Sequence, residues 1–141
     1  MKKIYVAGAS GWAGQEFVAY MRGRYADASI IDLGGPIQEN NHDQILDLKY
    51  ERAFEDLRAV SPEDVLVNFA GIIHPSNVSE FFAVNAEGLT RLFTAFAKGG
   101  GLKVVHVSSN SVLGFNLDGE PFTGSSVPRP YQGYGISKLI A

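Results

Sequence analysis

The stretch Ile4-Tyr5-Val6-Ala7-Gly8-Ala9-Ser10-Gly11-Trp12-Ala13-Gly14 decides the fold. A short apolar run leads straight into three glycines spaced GxxGxxG, after which Ala13, Phe17, Val18 and Met21 recur at helical intervals. That order predicts a strand, a tight loop and a helix. Gly8 permits the tight turn, Gly11 removes a Cβ that would strike a phosphate, and Gly14 lets the helix pack on the strand. Ser10, Trp12 and Ala13 complete a cradle in which the free N–H groups of the first helical turn face an anion. Glycines also serve turns for backbone reasons alone, so the triplet gains meaning from its place between strand and helix.

Further β-branched runs follow: Ser29-Ile30-Ile31, Ile45-Leu46, Val65-Leu66-Val67-Asn68-Phe69 and Val104-Val105-His106-Val107. Being apolar on both faces, they suit buried parallel strands. Between them, Leu89, Leu92, Phe93 and Phe96 mark one face of a long helix that begins near Ser79 and ends at Gly99-Gly100-Gly101. The alternation predicts an α/β chain, a Rossmann-type doubly wound parallel sheet of strand order 3-2-1-4-5, as one domain over residues 1–141. Residues 34–41 read as a loop, and so does the Gly- and Pro-rich stretch from Gly114 to Pro130 after the fifth strand, where ligands bind in such sheets.

Asp32 closes the second strand, 18 residues beyond Gly14, where a carboxylate can accept both hydroxyls of an adenosine ribose. This favours NAD over NADP, since a 2′-phosphate would meet a like charge and no Arg or Lys follows in Leu33-Gly34-Gly35-Pro36. A solvated loop carboxylate is the other reading of Asp32. Among the 141 residues the net charge of −3 argues against a nucleic-acid partner. No apolar run reaches the roughly 18 residues of a membrane span, so a cytoplasmic protein is expected. With no cysteine, thiol chemistry is excluded, and His42, His74 and His106 lack metal-ligand spacing. They read as surface or structural residues, and no metal is expected.

These glycines, with further matches along nearly the whole chain, resemble the extended short-chain dehydrogenases/reductases, the NAD-dependent epimerase/dehydratase type that includes sugar-nucleotide epimerases and dehydratases. Ile45-Leu46-Asp47-Leu48 is similar to the family's Asp-Leu element at the adenine, although Asp47 also suits a helix cap. Asn68-Phe69-Ala70-Gly71 resembles the Asn-x-Ala-Gly strand end beside the cofactor. Asn85 in Val84-Asn85-Ala86-Glu87-Gly88 matches an asparagine that supports the active-site backbone. Ser108-Ser109-Asn110-Ser111-Val112-Leu113-Gly114 is similar to the family's Ser-Ser-x-x-Val-Tyr-Gly, with Leu113 in place of the tyrosine, and Tyr134-Gly135-Ile136-Ser137-Lys138 carries YxxxK.

The resemblance implies that Ser109, Tyr134 and Lys138 are catalytic. A free tyrosine phenol, titrating near pH 10, is a poor base at neutral pH until a cation favours the phenolate, and a lysine four residues on shares its helix face. Tyr134 would take a substrate hydroxyl proton, Ser109 would hold the developing carbonyl, and Lys138 would also hold the nicotinamide ribose. Away from the motif, such a pair is usually surface decoration. The implied substrate is a sugar nucleotide or a similar hydroxyl or carbonyl compound, and the implied assembly a homo-oligomer.

Family members generally run much longer, so a truncated chain without its substrate domain is expected. The alternative is a non-catalytic NAD-binding module or redox sensor. A Tyr-Lys helix of two turns should fray and leave Tyr134 and Lys138 loosely placed. The Leu89, Leu92, Phe93 and Phe96 face should stand open and drive self-association, with NAD bound and no turnover.

Overall fold

The computed structural model describes residues 2–33, 54, 57–117 and 119–141. Strands β1 (Lys3–Ala7), β2 (Ser29–Leu33), β3 (Val65–Asn68) and β4 (Lys103–His106) form one parallel sheet in the order β2-β1-β3-β4. Helix α1 (Trp12–Arg24) connects the first two strands. Between β3 and β4, α2 (Ser79–Phe82), a π turn (Ala83–Gly88) and α3 (Leu89–Lys98) run on as the long helix read from the sequence. A 3₁₀ turn (Asn110–Val112) follows β4, and α4 (Gly133–Ile140) follows the long loop. This is the Rossmann-type architecture, with the 2-1-4-5 part of the expected order in place. The third expected strand, Ile45-Leu46, and the loop at 34–41 lie outside the described residues.

Tyr5 sits opposite Ile31 on one side and Leu66 on the other, and Leu66 opposite Val104, so β1 and β3 are the central strands among those described. Both are buried: Tyr5, Ala7 and Leu66 join Leu33, Leu57, Leu89, Leu92 and Phe96 in one core. The rings of Tyr5 and Phe96 meet edge-on at 5.9 Å. Leu89, Leu92 and Phe96 are wholly buried, which corrects the expectation of an open helix face. That face lies on the sheet. Periodicity shows that a helix has an apolar side but not which surface meets it. Each such side chain stabilises the fold by about 2 kcal/mol.

A second correction concerns β4. Its apolar run predicts a strand buried on both faces, yet Val104 and Val105 are 43% and 53% exposed. It is the edge strand among the described residues, and its apolar character exceeds the cover it receives. At the opposite end of the sheet, the buried Asp64 carboxylate accepts the Lys3 amide at 2.7 Å and the Ser61 amide at 2.8 Å. Burial alone would raise this carboxyl, but those two amides and the Lys3 charge outweigh it and hold it below the usual carboxylate range.

Candidate functional site

The glycine loop lies against the end of β3. Gly8 has φ +76°, and a Cβ there would come within 2.6 Å of the Ala70 amide nitrogen. Gly14 is buried where a Cβ would run into the Gly8 carbonyl, so α1 can rest on the loop only without one. Gly11 differs. Its φ is −73°, and a Cβ would meet only the Gly8 carbonyl at 3.4 Å, an ordinary contact. The protein's own packing therefore does not require glycine at this position. Gly11, Trp12 and Ala13 are exposed, no side chain caps α1, and no acidic residue lies in its first turn. An uncapped helix start leaves N–H groups unmet and a partial positive charge, which fits a pyrophosphate. The Ser10 carbonyl accepts a 2.8 Å hydrogen bond from the Gln15 side chain, tying the loop to the helix.

Asp32 stands in β2 opposite Val6, one residue short of the strand end. Burial raises its carboxyl, while Arg22 of α1 opposes that rise. Sequence order hid this nearby cation, which comes from the preceding helix and not from the residues after Asp32. Asp47 and Leu48 lie outside the described residues.

At the end of β3, the Phe69 ring packs on Phe17 of α1 at 5.3 Å, which leaves its backbone facing Gly8. The Ala70 amide donates to Asn68 Oδ1 at 3.2 Å. Asn85 lies wholly buried within the π turn, a local widening of the helix of a kind frequent at functional sites. Its Oδ1 accepts the Ile72 amide at 2.7 Å, and its Nδ2 donates to the Ile72 carbonyl at 3.0 Å and to Ser137 Oγ at 3.1 Å. One side chain thereby joins the β3 exit, the long helix and α4. A Cβ on Gly71 would lie 3.2 Å from Asn85 Oδ1 and 4.0 Å from Lys138 Nζ, so Gly71 opens directly onto the lysine.

Ser109 caps the 3₁₀ turn. Its Oγ accepts the Ser111 amide at 3.2 Å and donates to Ser111 Oγ at 3.1 Å. Gly135 packs against the Ser111 carbonyl so closely that no Cβ fits, which seats α4 on that turn. Tyr134 is partly buried, its ring 5.8 Å from that of Phe81. Lys138 is buried, with Nζ donating to the Val107 carbonyl at 2.8 Å and lying 3.2 Å from His106 Nε2. Burial lowers its amine below the usual lysine range. The expected fraying of this helix is thus corrected: tertiary contacts through Gly135, Ser137 and Lys138 supply support that two free turns lack.

Among the described residues no group of three His, Asp or Glu residues is arranged for a metal, and no helix is long and apolar enough to cross a membrane.

The family model for the NAD dependent epimerase/dehydratase family matches residues 4–141. The chain belongs to this family. Among curated relatives, a protein of Sinorhizobium fredii, y4nL, is 35% identical over 154 residues, covering 97% of this chain and 43% of the relative. A uronate dehydrogenase of Pseudomonas syringae is 26% identical, covering 96% and 50%. Among solved structures, a short-chain dehydrogenase/reductase superfamily protein from Agrobacterium tumefaciens with bound NAD superposes with a TM-score of 0.79 at 27% identity, over 98% of this chain and 42% of that one. This epimerase/dehydratase-family chain spans about half the length of the curated relatives it matches.

Proposed function

We propose that this chain binds NAD across the carboxyl ends of β1, β2 and β3, and supplies Ser109, Tyr134 and Lys138 to an oxidoreductase of the epimerase/dehydratase family. One observation carries this reading: the uncapped, exposed start of α1 and the amine of Lys138 both converge on the Phe69-Ala70-Gly71 exit of β3, through Gly8 and Gly71 respectively. Ligands of open α/β sheets bind at such strand ends. Gly8, Ser10, Gly11, Trp12, Ala13 and Gly14 would hold the pyrophosphate. Asp32 would take the adenosine ribose, with NAD preferred to NADP, and Asp47 and Leu48 would flank the adenine. Phe69, Ala70 and Gly71 would line the cofactor's floor, which Asn85 keeps in place.

Bound NAD supplies a hydride acceptor or, when reduced, a donor. Tyr134 would remove the hydroxyl proton of the substrate, Ser109 Oγ would donate to the oxygen that becomes a carbonyl, and Lys138 would hold the nicotinamide ribose. The substrate class is a sugar nucleotide or a related sugar hydroxyl or carbonyl, in keeping with the family's name and the uronate dehydrogenase relative. Self-association is also proposed, now through the exposed Ile136, Leu139 and Ile140 of α4 in place of the buried face of α3. A binding module without turnover is the second reading, because the glycine loop and the exit of β3 meet through Gly8, Phe69 and Ala70 without any residue of α4.

The test pairs an NAD titration of the chain with Tyr134→Phe in the active protein. NAD affinity unchanged and turnover lost supports the enzyme reading. Near-normal turnover in Tyr134→Phe refutes Tyr134 as the base, and NAD binding without turnover in any form of the protein leaves the module reading.

A further inference from the structure

His106 closes β4 directly after the apolar pair Val104 and Val105. Its ring lies edge-on to Phe93 at 5.7 Å, with Nδ1 2.9 Å from Asn68 Nδ2 and Nε2 3.2 Å from Lys138 Nζ. The orientation of Asn68 is fixed by backbone. Its Oδ1 accepts the Ala70 amide at 3.2 Å and its Nδ2 donates to the Ala70 carbonyl at 3.3 Å. Turning the amide over would set NH₂ against N–H and oxygen against oxygen. Asn68 therefore offers the ring a donor, and Nδ1 must be the bare, accepting nitrogen. In a neutral imidazole the proton then sits on Nε2. Burial is the largest influence on the ring and by itself lowers its affinity for a proton, so the ring is neutral at ordinary pH.

The Nε2–H faces Lys138 Nζ. An ammonium carries three donors and no acceptor, so a charged lysine would set donor against donor at 3.2 Å. An uncharged amine pairs every contact: Nζ accepts from Nε2–H and donates to the Val107 carbonyl. Gly71, which carries no charge, also opens onto Nζ. Tyr134 is the titratable group one turn back on α4, and among the described residues no carboxylate pairs with Lys138.

We propose that Asn68 and His106 form a positioning pair that holds the Lys138 amine uncharged until an acceptor on a bound ligand takes the place of His106. When that acceptor arrives, Nζ gains one proton from solvent, a new N–H bond forms, and no protein group loses a proton. The lysine thereby becomes a cation only in the occupied site. The functional consequence rests on the NAD reading above, whereas the tautomer and the lysine titration do not.

Long-range ¹H–¹⁵N spectra of the full chain will show the His106 tautomer, and Lys138 side-chain carbon shifts will report its titration. The expected result is a bare Nδ1 and a protonated Nε2 from pH 5.5 to 8. Lys138 should be uncharged at pH 7.5 while the other lysines are charged, a charged Lys138 there overturning the proposal, and its midpoint should rise by about one unit, a tenfold gain in proton affinity, in His106→Phe. His106→Gln, whose amide can turn its oxygen to the ammonium, should raise it too, which covers the case where His106→Phe does not fold. A protonated Nδ1, or a Lys138 midpoint unmoved by both variants, overturns the proposal. Calorimetric NAD titration in two buffers of different protonation enthalpy should then show proton uptake that His106→Gln reduces; uptake equal in both proteins also overturns it. Absence of NAD binding would instead overturn the NAD reading, with tautomer and lysine titration still deciding the role of His106.

Discussion

Replacing Asn85 with alanine tests whether one buried amide holds the site together. Its three hydrogen bonds, to the Ile72 amide, the Ile72 carbonyl and Ser137 Oγ, all disappear. The stranded Ile72 amide costs about 2 kcal/mol, and the other two bonds about 1 kcal/mol each, giving a loss of about 4 kcal/mol. With an urea dependence of about 2 kcal/mol per molar, the unfolding midpoint should fall by about 2 M. Ser137→Ala removes one of the three bonds and also the 2.8 Å bond from Ser137 Oγ to the Tyr134 carbonyl, and should lower it by about 1 M. The double variant should cost about 1 kcal/mol more than Asn85→Ala alone, because the shared bond is lost once and only the bond from Ser137 Oγ to the Tyr134 carbonyl is added to the loss. Urea unfolding followed by circular dichroism, with hydrogen exchange at Ile72, gives every value required. A loss below 1 kcal/mol in Asn85→Ala, or one equal to that of Ser137→Ala, would refute the claim that Asn85 is the joint between β3 and α4.

Asp32→Ala should narrow the preference for NAD over NADP, since it removes both the ribose acceptor and the charge that repels a 2′-phosphate; a ratio of dissociation constants unchanged from wild type would remove that role. The stabilisation from Asp64, whose carboxyl is held low in the folded chain, is complete above the ordinary value near 3.8 and is lost as pH falls through the lower folded value. Urea midpoints measured from pH 2 to 7 should accordingly show a shallower acid limb in Asp64→Asn, and identical limbs would count against the clasp. Gly14→Ala, where a Cβ would drive into the Gly8 carbonyl, should destabilise the chain by at least about 2 kcal/mol in the same assay.

The parallel sheet and the order of its four described strands were readable because apolar runs and helical spacing alternate so regularly, and because Gly8 and Gly14 have steric reasons local to the loop that bears them. The long helix was readable for the same reason, down to its end at Gly99. What the sequence concealed depends on contacts between distant segments. Nothing near Leu89, Leu92 and Phe96 says that their partners are Tyr5 and Leu66. Nothing near Arg22 says that it lies by Asp32. Ser137 is an unremarked interior letter of YxxxK until Asn85, 52 residues earlier, is found bonded to it. His106 did carry a signal, a titratable residue inside Val104-Val105-His106-Val107, but its meaning depends on Asn68 and Lys138 reaching it from two other elements. The fraying argument for α4 failed in the same way, by treating as free a helix that tertiary contacts anchor.

The central claim, that the β1–α1 loop is a dinucleotide cradle, is tested most directly by NAD titration of wild type against Gly11→Val. Gly11 has an extended backbone conformation and no close neighbour within the protein, so valine should leave the urea midpoint nearly unchanged while projecting into the space assigned to the pyrophosphate. The account predicts saturable NAD binding by wild type and at least tenfold weaker binding by the equally stable variant. Equal NAD affinity in the two proteins, or no NAD binding by folded wild type, would contradict it.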